Sequence, residues 1–323
     1  MRVRSNSLVK TGAFGIAVLV VAGCATAPTS VPEELAPAPL PPPAAAFAFD
    51  ADDARVRADG QLAAQTGTLE SEWGCAVEYE YYEPPTAAAA RIDGAAPGLV
   101  VLGHGFTRDL TTMRGWARAW SERGMRTVVV GFCNSSVFNG RHDRNAADLL
   151  AVATRIEPGD APIVYAGFSA GGLAALLAAG SDPRAIAYLG LDPVDRGHLA
   201  ATVERLRMPA LFLYAAPSRC NANANMVPVM PEADVRVALR VPFASHCDFE
   251  MPYDTACERL CGGVEPEETA REVRATIRAL ATAWVIAQIG ADPRAAAVFG
   301  RPAIDELERA RRVEVLSVET AGR

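Results

Sequence analysis

Gly167-Phe168-Ser169-Ala170-Gly171-Gly172 is the stretch of this sequence with the clearest chemical potential. It follows an apolar, strand-like run, Ile163-Val164-Tyr165-Ala166, and opens an alanine-rich, helix-like run from Leu173 to Ala179. A strand that turns at once into a helix strains the residue at the turn and pushes its side chain outward. Gly167 and Gly171 leave the room this needs. Ser169 is therefore expected at the exposed carboxyl edge of a sheet, with the amide of Ala170 aimed into the same space from a helix N-terminus. That pairing is a nucleophile beside half of an oxyanion hole. The second donor is expected at Gly103-His104-Gly105-Phe106, the turn that ends the apolar run Leu99-Val100-Val101-Leu102, most simply from the amide of Phe106.

A serine hydroxyl is a poor nucleophile at its own pKa and needs an imidazole to take its proton. The sequence has 4 histidines. His104 belongs to the oxyanion turn, His142 lies between Arg141 and Asp143, and His198 follows the polar Asp195-Arg196-Gly197. His246, just after the last expected strand, completes the chain order Ser, Asp, His. The orienting carboxylate is harder to place. The strand Pro209 to Tyr214 is followed by Ala215-Ala216-Pro217-Ser218-Arg219-Cys220, without an acid. The preceding strand ends in Gly190-Leu191-Asp192-Pro193-Val194-Asp195. Asp192 leaves the strand end directly and is the preferred acid, with Asp195 as the alternative.

The elements that must position these residues alternate strand and helix. Val77 to Tyr82 reads as an early, exposed strand ending at Pro84-Pro85. Strands are expected at Leu99–Leu102, Thr127–Val130, Ile163–Ala166, Ala185–Leu191, Pro209–Tyr214 and Val235–Val241. Helical patterns cover Leu110–Arg123, Asn145–Arg155 and Glu267–Ile289, the last with Glu and Arg on one face and apolar residues on the other. This order predicts an α/β fold with a mostly parallel central sheet and helices on both faces. From Asp292 onward the chain reads as a loose tail with a short helix around Asp305–Arg311. About seventeen residues separate the strands ending at Leu191 and beginning near Pro209, room for a crossover helix such as Leu199–Arg207 and little else. With little or no cap domain, Ser169 is expected in a shallow, open groove.

Length and composition set the outer limits. The 323 residues, half of them hydrophobic, suit one domain over 49–323 with an appended leader. Net charge is −7 and no block of Lys or Arg stands out, so the electrostatic footprint of a nucleic-acid binder is missing. Arg2, Arg4 and Lys10 precede an apolar run from Thr11 to Gly23, too short to span a bilayer and of the length of an export-signal core. Residues 24–48 are dominated by Ala and Pro, as in an extended tether. Setting Cys24 aside, the remaining cysteines are Cys75, Cys133, Cys220, Cys247, Cys257 and Cys261. An even number in an exported chain predicts three disulfides, with fifteen connectivities open. No spacing resembles a zinc site, and no metal or cofactor is expected.

Two resemblances follow from these residues. Val21-Ala22-Gly23-Cys24 resembles a bacterial lipobox, which implies residues 1–23 as signal peptide, lipidation of Cys24 and a lipid bilayer as partner. Ala25, not an acidic residue, follows, and by resemblance to enterobacterial sorting this implies the outer membrane of the cell envelope. The body, roughly residues 75–290, resembles the α/β-hydrolases and, among them, the chlorophyllase-type and dienelactone-hydrolase-like branch. The resemblance rests on the Gly167–Gly172 elbow, on Gly190-Leu191-Asp192-Pro193-Val194 and on the Asn-rich loop from Cys220 to Met230. That branch takes its triad acid from the Leu-Asp-Pro segment, which implies Asp192. Chlorophyllase-like elbows usually carry His before the nucleophile, where this chain has Phe168. Dienelactone hydrolases use Cys as nucleophile, where this chain has Ser169. The implied activity is hydrolysis of a small-molecule or surface-bound carboxylic ester. An idle binding lipoprotein and an acyltransferase are the alternatives.

Overall fold

A computed structural model describes residues 49, 62–85, 98–136, 140–261, 266–290 and 292–319. The leader, the tether and Cys24 lie outside these residues. All described residues belong to one compact unit, Leu40–Arg323.

In chain order the elements are β1 (Gln65–Glu70), β2 (Ala76–Tyr82), β3 (Leu99–Gly103), α1 (Arg114–Ser121), β4 (Arg126–Val130), α2 (His142–Ile156), β5 (Ile163–Phe168), α3 (Ala170–Ser181), β6 (Ala185–Leu191) and β7 (Arg205–Leu206). Then come β8 (Ala210–Tyr214), β9 (Glu232–Ala233), β10 (Arg236–Arg240), α4 (Thr255–Cys261), α5 (Glu267–Ile289), α6 (Pro293–Ala297), α7 (Arg301–Arg309) and β11 (Glu314–Glu319).

Among the described residues the main sheet has nine strands, in the order β1-β2-β4-β3-β5-β6-β8-β10-β11. From β4 to β10 every neighbouring pair is parallel. The edges are antiparallel: β2 against β4, β1 against β2, and β11 against β10. Continuous apolar runs make the central strands because both faces are covered. Along β3, Val100 and Leu102 face a core shared with Trp116 and Trp120 of α1 and Ile277, Leu280 and Trp284 of α5. Leu99 and Val101 face the opposite core, built with Leu149 and Val152 of α2 and Leu173 and Leu176 of α3.

The strand order fixes where a site can form. β4 lies on one side of β3 and β5 on the other, so the winding reverses between β3 and β5. A crevice opens at the carboxyl ends of strands at such a reversal, and ligands bind there in open α/β sheets. Here those ends carry His104 to Phe106 after β3 and Ser169 after β5.

Three expectations are corrected. Leu199–Arg207 is not a helix: Ala200–Thr202 forms one 3-10 turn, and Arg205–Leu206 pairs with Glu232–Ala233 as β7 against β9. Arg205 also bridges to Glu232 and Asp234, so tertiary pairing overrides a helical pattern. The segment after Asp292 is not a loose tail. It forms α6 and α7 and then returns as β11 to close one edge of the sheet. Nor is β2 an exposed edge strand: β1 covers it, and Val77, Tyr81 and Tyr82 are buried.

Candidate active site

Ser169 sits between β5 and α3 with φ 54° and ψ −122°, a left-handed backbone that a side chain tolerates only when its surroundings hold it. They do so through hydrogen bonds. The Ser169 amide donates to Leu191 O at 3.0 Å, and its carbonyl accepts from Gly172 N at 3.0 Å and Val194 N at 3.1 Å. The elbow is thus clamped by residues on either side of Asp192. A Cβ at Gly167 would lie 2.2 Å from Gly171 O, and one at Gly105 would lie 3.1 Å from Ser169 Cβ. Glycine is therefore required at 167 on packing grounds, while a side chain at 105 would press on the Phe168 ring and on Ser169.

His246 opens the 3-10 turn His246–Phe249 after β10. Its Nε2 lies 2.9 Å from Ser169 Oγ and its Nδ1 lies 2.6 Å from Asp192 Oδ2. With a carboxylate at Asp192, Nδ1–H donates and Nε2 is left to accept the serine proton. The turn is fixed by Asp248 Oδ2, which accepts from Ser245 N at 2.7 Å and Ser245 Oγ at 2.9 Å. The imidazole also packs on Phe168, with ring centroids 4.6 Å apart.

Asp192 is fully buried at the end of β6 with φ 44°. Besides His246, its carboxylate accepts from Ala215 N at 3.0 Å and from Asn221 Nδ2 at 3.2 Å. Asp195 is directed elsewhere. Its Oδ1 accepts from Ala200 N at 3.0 Å, and its backbone exchanges hydrogen bonds with the Asn225 side chain. The structure therefore brings Ser169, His246 and Asp192 together and leaves Asp195 capping a turn.

Nothing local in the sequence marks Asn221 as part of this network. Fully buried, it donates to Asp192 and to Ala216 O, while its Oδ1 accepts from Ser218 N and Ala224 N. One amide thus holds both the acid and the loop beside it. Its Asn-rich surroundings were visible in the sequence. The partner 29 positions away was not.

Phe106 and Ala170 both line the cavity above Ser169, and neither amide has an acceptor among the described residues. Two buried histidines shape this side of the site. His104 donates from Nδ1 to Gly105 O at 2.7 Å and accepts at Nε2 from Phe132 N at 2.9 Å, which locks the turn after β3. Burial lowers its pKa to about 4, so it is neutral there. His142, at the start of α2, packs its ring on Phe106 at 4.8 Å and reaches Ala170 O from Nδ1 at 3.3 Å. Burial lowers its pKa as well, with Arg196 adding to the effect and the Ala170 carbonyl opposing it. In the sequence His142 looked like part of a polar stretch, whereas it touches both candidate donor residues.

The cavity measures about 360 Å³ and is lined among others by Phe106, Phe168, Val194, Ala222 and three arginines. Ser169 is 8% exposed and His246 6%. No helical domain is inserted after β6, yet the serine is deeper than an open groove would place it, because the loop after β8 and α4 wall the cavity. Cys220, Cys257 and Cys261 belong to that wall.

All six described cysteines are paired, Cys75 with Cys133, Cys220 with Cys261, and Cys247 with Cys257. Sulfurs of Cys247, Cys257 and Cys261 lie within 4.8 Å of one another, but as disulfides they offer no thiolate to a metal. Three disulfides fit an oxidising, non-cytoplasmic compartment. Among the described residues no helix is long and apolar enough to cross a membrane. No family model and no curated protein matches this chain.

Proposed function

We propose that the chain is a serine hydrolase of the α/β-hydrolase fold that cleaves carboxylic esters through an acyl-enzyme. The observation that carries this reading is the unbroken hydrogen-bond chain from Asp192 through His246 to Ser169, at the floor of a cavity at the sheet's reversal point. In the proposed cycle His246 Nε2 takes the Ser169 proton as Oγ attacks the ester carbon. Asp192 holds the imidazole in the required tautomer and stabilises its cation. The tetrahedral oxyanion turns toward the amides of Phe106 and Ala170. One such donor is worth about 3 kcal/mol of barrier. His246 then returns the proton to the departing alcohol, and a water activated by the same imidazole releases the acid.

The test is labelling with a fluorophosphonate probe and turnover of 4-nitrophenyl butyrate. Wild type is expected to label and turn over, and Ser169→Ala to do neither, with kcat lower by at least about four orders of magnitude. A folded wild type that takes up no label refutes the nucleophile and favours a binding role.

The lipobox resemblance and the disulfides support the further proposal that the protein is tethered to the cell envelope through lipid on Cys24. Cys24→Ala should then move the protein from the membrane to the soluble fraction or block its maturation. Unchanged sedimentation with membranes would dispose of that anchor.

A further inference from the structure

The cavity over Ser169 has an uneven charge. Its lining holds Arg108, Arg196 and Arg219 and, among the described residues, no Asp or Glu, although the chain carries 38 acidic against 31 basic residues. Arg108 is neutralised where it stands, with Nε 2.8 Å from Glu250 and Nη1 3.1 Å from Asp254. The other two are not. Arg196 and Arg219 have no ion-pair partner among the described residues. Arg196 follows β6, is exposed, and stands over the Phe106 ring at 5.9 Å. Arg219 follows β8, is exposed, and precedes the Cys220–Cys261 disulfide.

Besides the arginines and the catalytic pair, the wall is mixed, with Thr107 and His142 beside apolar side chains. Phe106, Phe168, Val194 and Ala222 line the same cavity as the serine and the two arginines, with Phe106 directly under Arg196. A ligand fitted to both parts has an ester, a short apolar spacer and an anionic end. Unpaired guanidiniums at a cavity mouth also draw anions in against the net negative charge of the molecule, because a low-dielectric wall focuses their field. Guanidinium forks match a carboxylate in shape as well as charge.

We propose that Arg196 and Arg219 form a carboxylate subsite, and that the substrate is an ester whose acyl part ends in a free carboxylate, such as the half-ester of a dicarboxylic acid. This rests on the esterase reading above. Each turnover adds one water across the ester bond and releases a dicarboxylate and an alcohol. The enzyme would therefore stand downstream of a step that leaves half-esters, such as partial cleavage of a diester.

The test compares monoethyl adipate with ethyl hexanoate, two ethyl esters of equal acyl length that differ in the terminal carboxylate. Turnover is followed by titration of released acid at pH 7.5 and low salt, using the full chain in detergent. Wild type is expected to favour the charged ester roughly tenfold in kcat/KM, since each exposed ion pair contributes up to about fivefold. The preference should shrink in 0.5 M salt. It should collapse to about unity in Arg196→Gln/Arg219→Gln and survive in Arg196→Lys/Arg219→Lys, which keeps the charge. A wild-type ratio of one, or a ratio unchanged in the Gln variant, overturns the proposal.

A binding arm separates this from the esterase reading. Monoethyl adipate should bind Ser169→Ala by calorimetry and bind at least about tenfold more weakly once both arginines are Gln. If neither ester is turned over, the esterase reading fails while calorimetry still decides the subsite. No binding to Ser169→Ala refutes it.

Discussion

At the scale of single residues, two aspartates three positions apart have opposite work. Asp192 is bonded to the imidazole, to Ala215 N and to the Asn221 amide, whereas Asp195 caps the turn at Ala200. Asp192→Asn keeps the volume, but with its oxygen held by Ala215 N it turns an NH2 donor toward Nδ1, so the proton sits on Nε2, the wrong tautomer. A fall in kcat of about three to four orders of magnitude is expected, with circular dichroism unchanged. Asp195→Asn should cost less than about tenfold, because only a capping bond weakens. The reverse ranking on 4-nitrophenyl butyrate would assign the acid to Asp195. Asn221 belongs to the same network as a positioning residue, since it reaches the imidazole only through Asp192. Removal of a donor from a fully buried carboxylate leaves that charge under-satisfied.

At the scale of elements, the seven-residue helix α4 (Thr255–Cys261) links the two halves of the triad's support. Cys257 ties it to Cys247, the neighbour of His246, and Cys261 ties it to Cys220, the neighbour of Asn221. The Cys75–Cys133 bond instead joins the start of β2 to the loop after β4. Their spans differ, at 58 residues for Cys75–Cys133, 41 for Cys220–Cys261 and 10 for Cys247–Cys257. Chain entropy makes the longest loop the most stabilising, at about 4 kcal/mol against about 3 for the shortest. The bond that contributes most to stability is thus expected to matter least for kcat. Cys75→Ser/Cys133→Ser should show the largest loss in urea midpoint, and Cys247→Ser/Cys257→Ser the largest loss in kcat. Equal kcat losses in the two variants would show that α4 does not position the base. Pairing of this kind is what the sequence could not reveal, because spacing leaves fifteen connectivities open and only the fold selects one. The parallel strands were legible, since a strand buried on both faces needs an unbroken apolar run such as Leu99–Leu102 or Ala185–Leu191. That Ser169, His246 and Asp192 meet was legible for the same reason, each lying just beyond such a run; their roles belong to the proposal. β11 carries no such signal: Glu314 to Glu319 neither alternates nor forms an unbroken apolar run, and an edge strand after two short helices has no local feature that says where it pairs. Leu199–Arg207 failed in the opposite sense: its helical pattern yields to the bonds of Asp195 and Arg205.

At the scale of the whole molecule, two buried groups tie stability to pH with opposite signs. Burial holds His104 at about 4, below its ordinary 6.5. Between those values the unfolded chain binds a proton that the folded chain refuses, so stability rises with pH across the window. Glu250 behaves in reverse. Burial pushes it up to about 7 from 4.5, opposed by Arg108 and assisted by Asp254. The folded chain then keeps a proton that the unfolded chain releases between about pH 4.5 and 7, so stability falls with pH there. Where the two windows overlap these two slopes offset each other. Glu250→Gln removes one of the two. Near pH 4.5 the folded wild type already carries a neutral side chain at this position, so the substitution changes little. At pH 8 the wild type must hold a buried anion and the variant need not, a difference of up to about 3 kcal/mol in favour of the variant. Shifts at Asp148 and His142 are common to both proteins and cancel in the comparison. Urea unfolding of the two at pH 5 and pH 8, disulfides intact, should therefore show the advantage of Glu250→Gln growing by at least about 1 kcal/mol across the interval. A constant difference at both pH values would mean that Arg108 keeps Glu250 ionised throughout, and a difference that shrinks with pH would mean that the ion pair outweighs the cost of burying it.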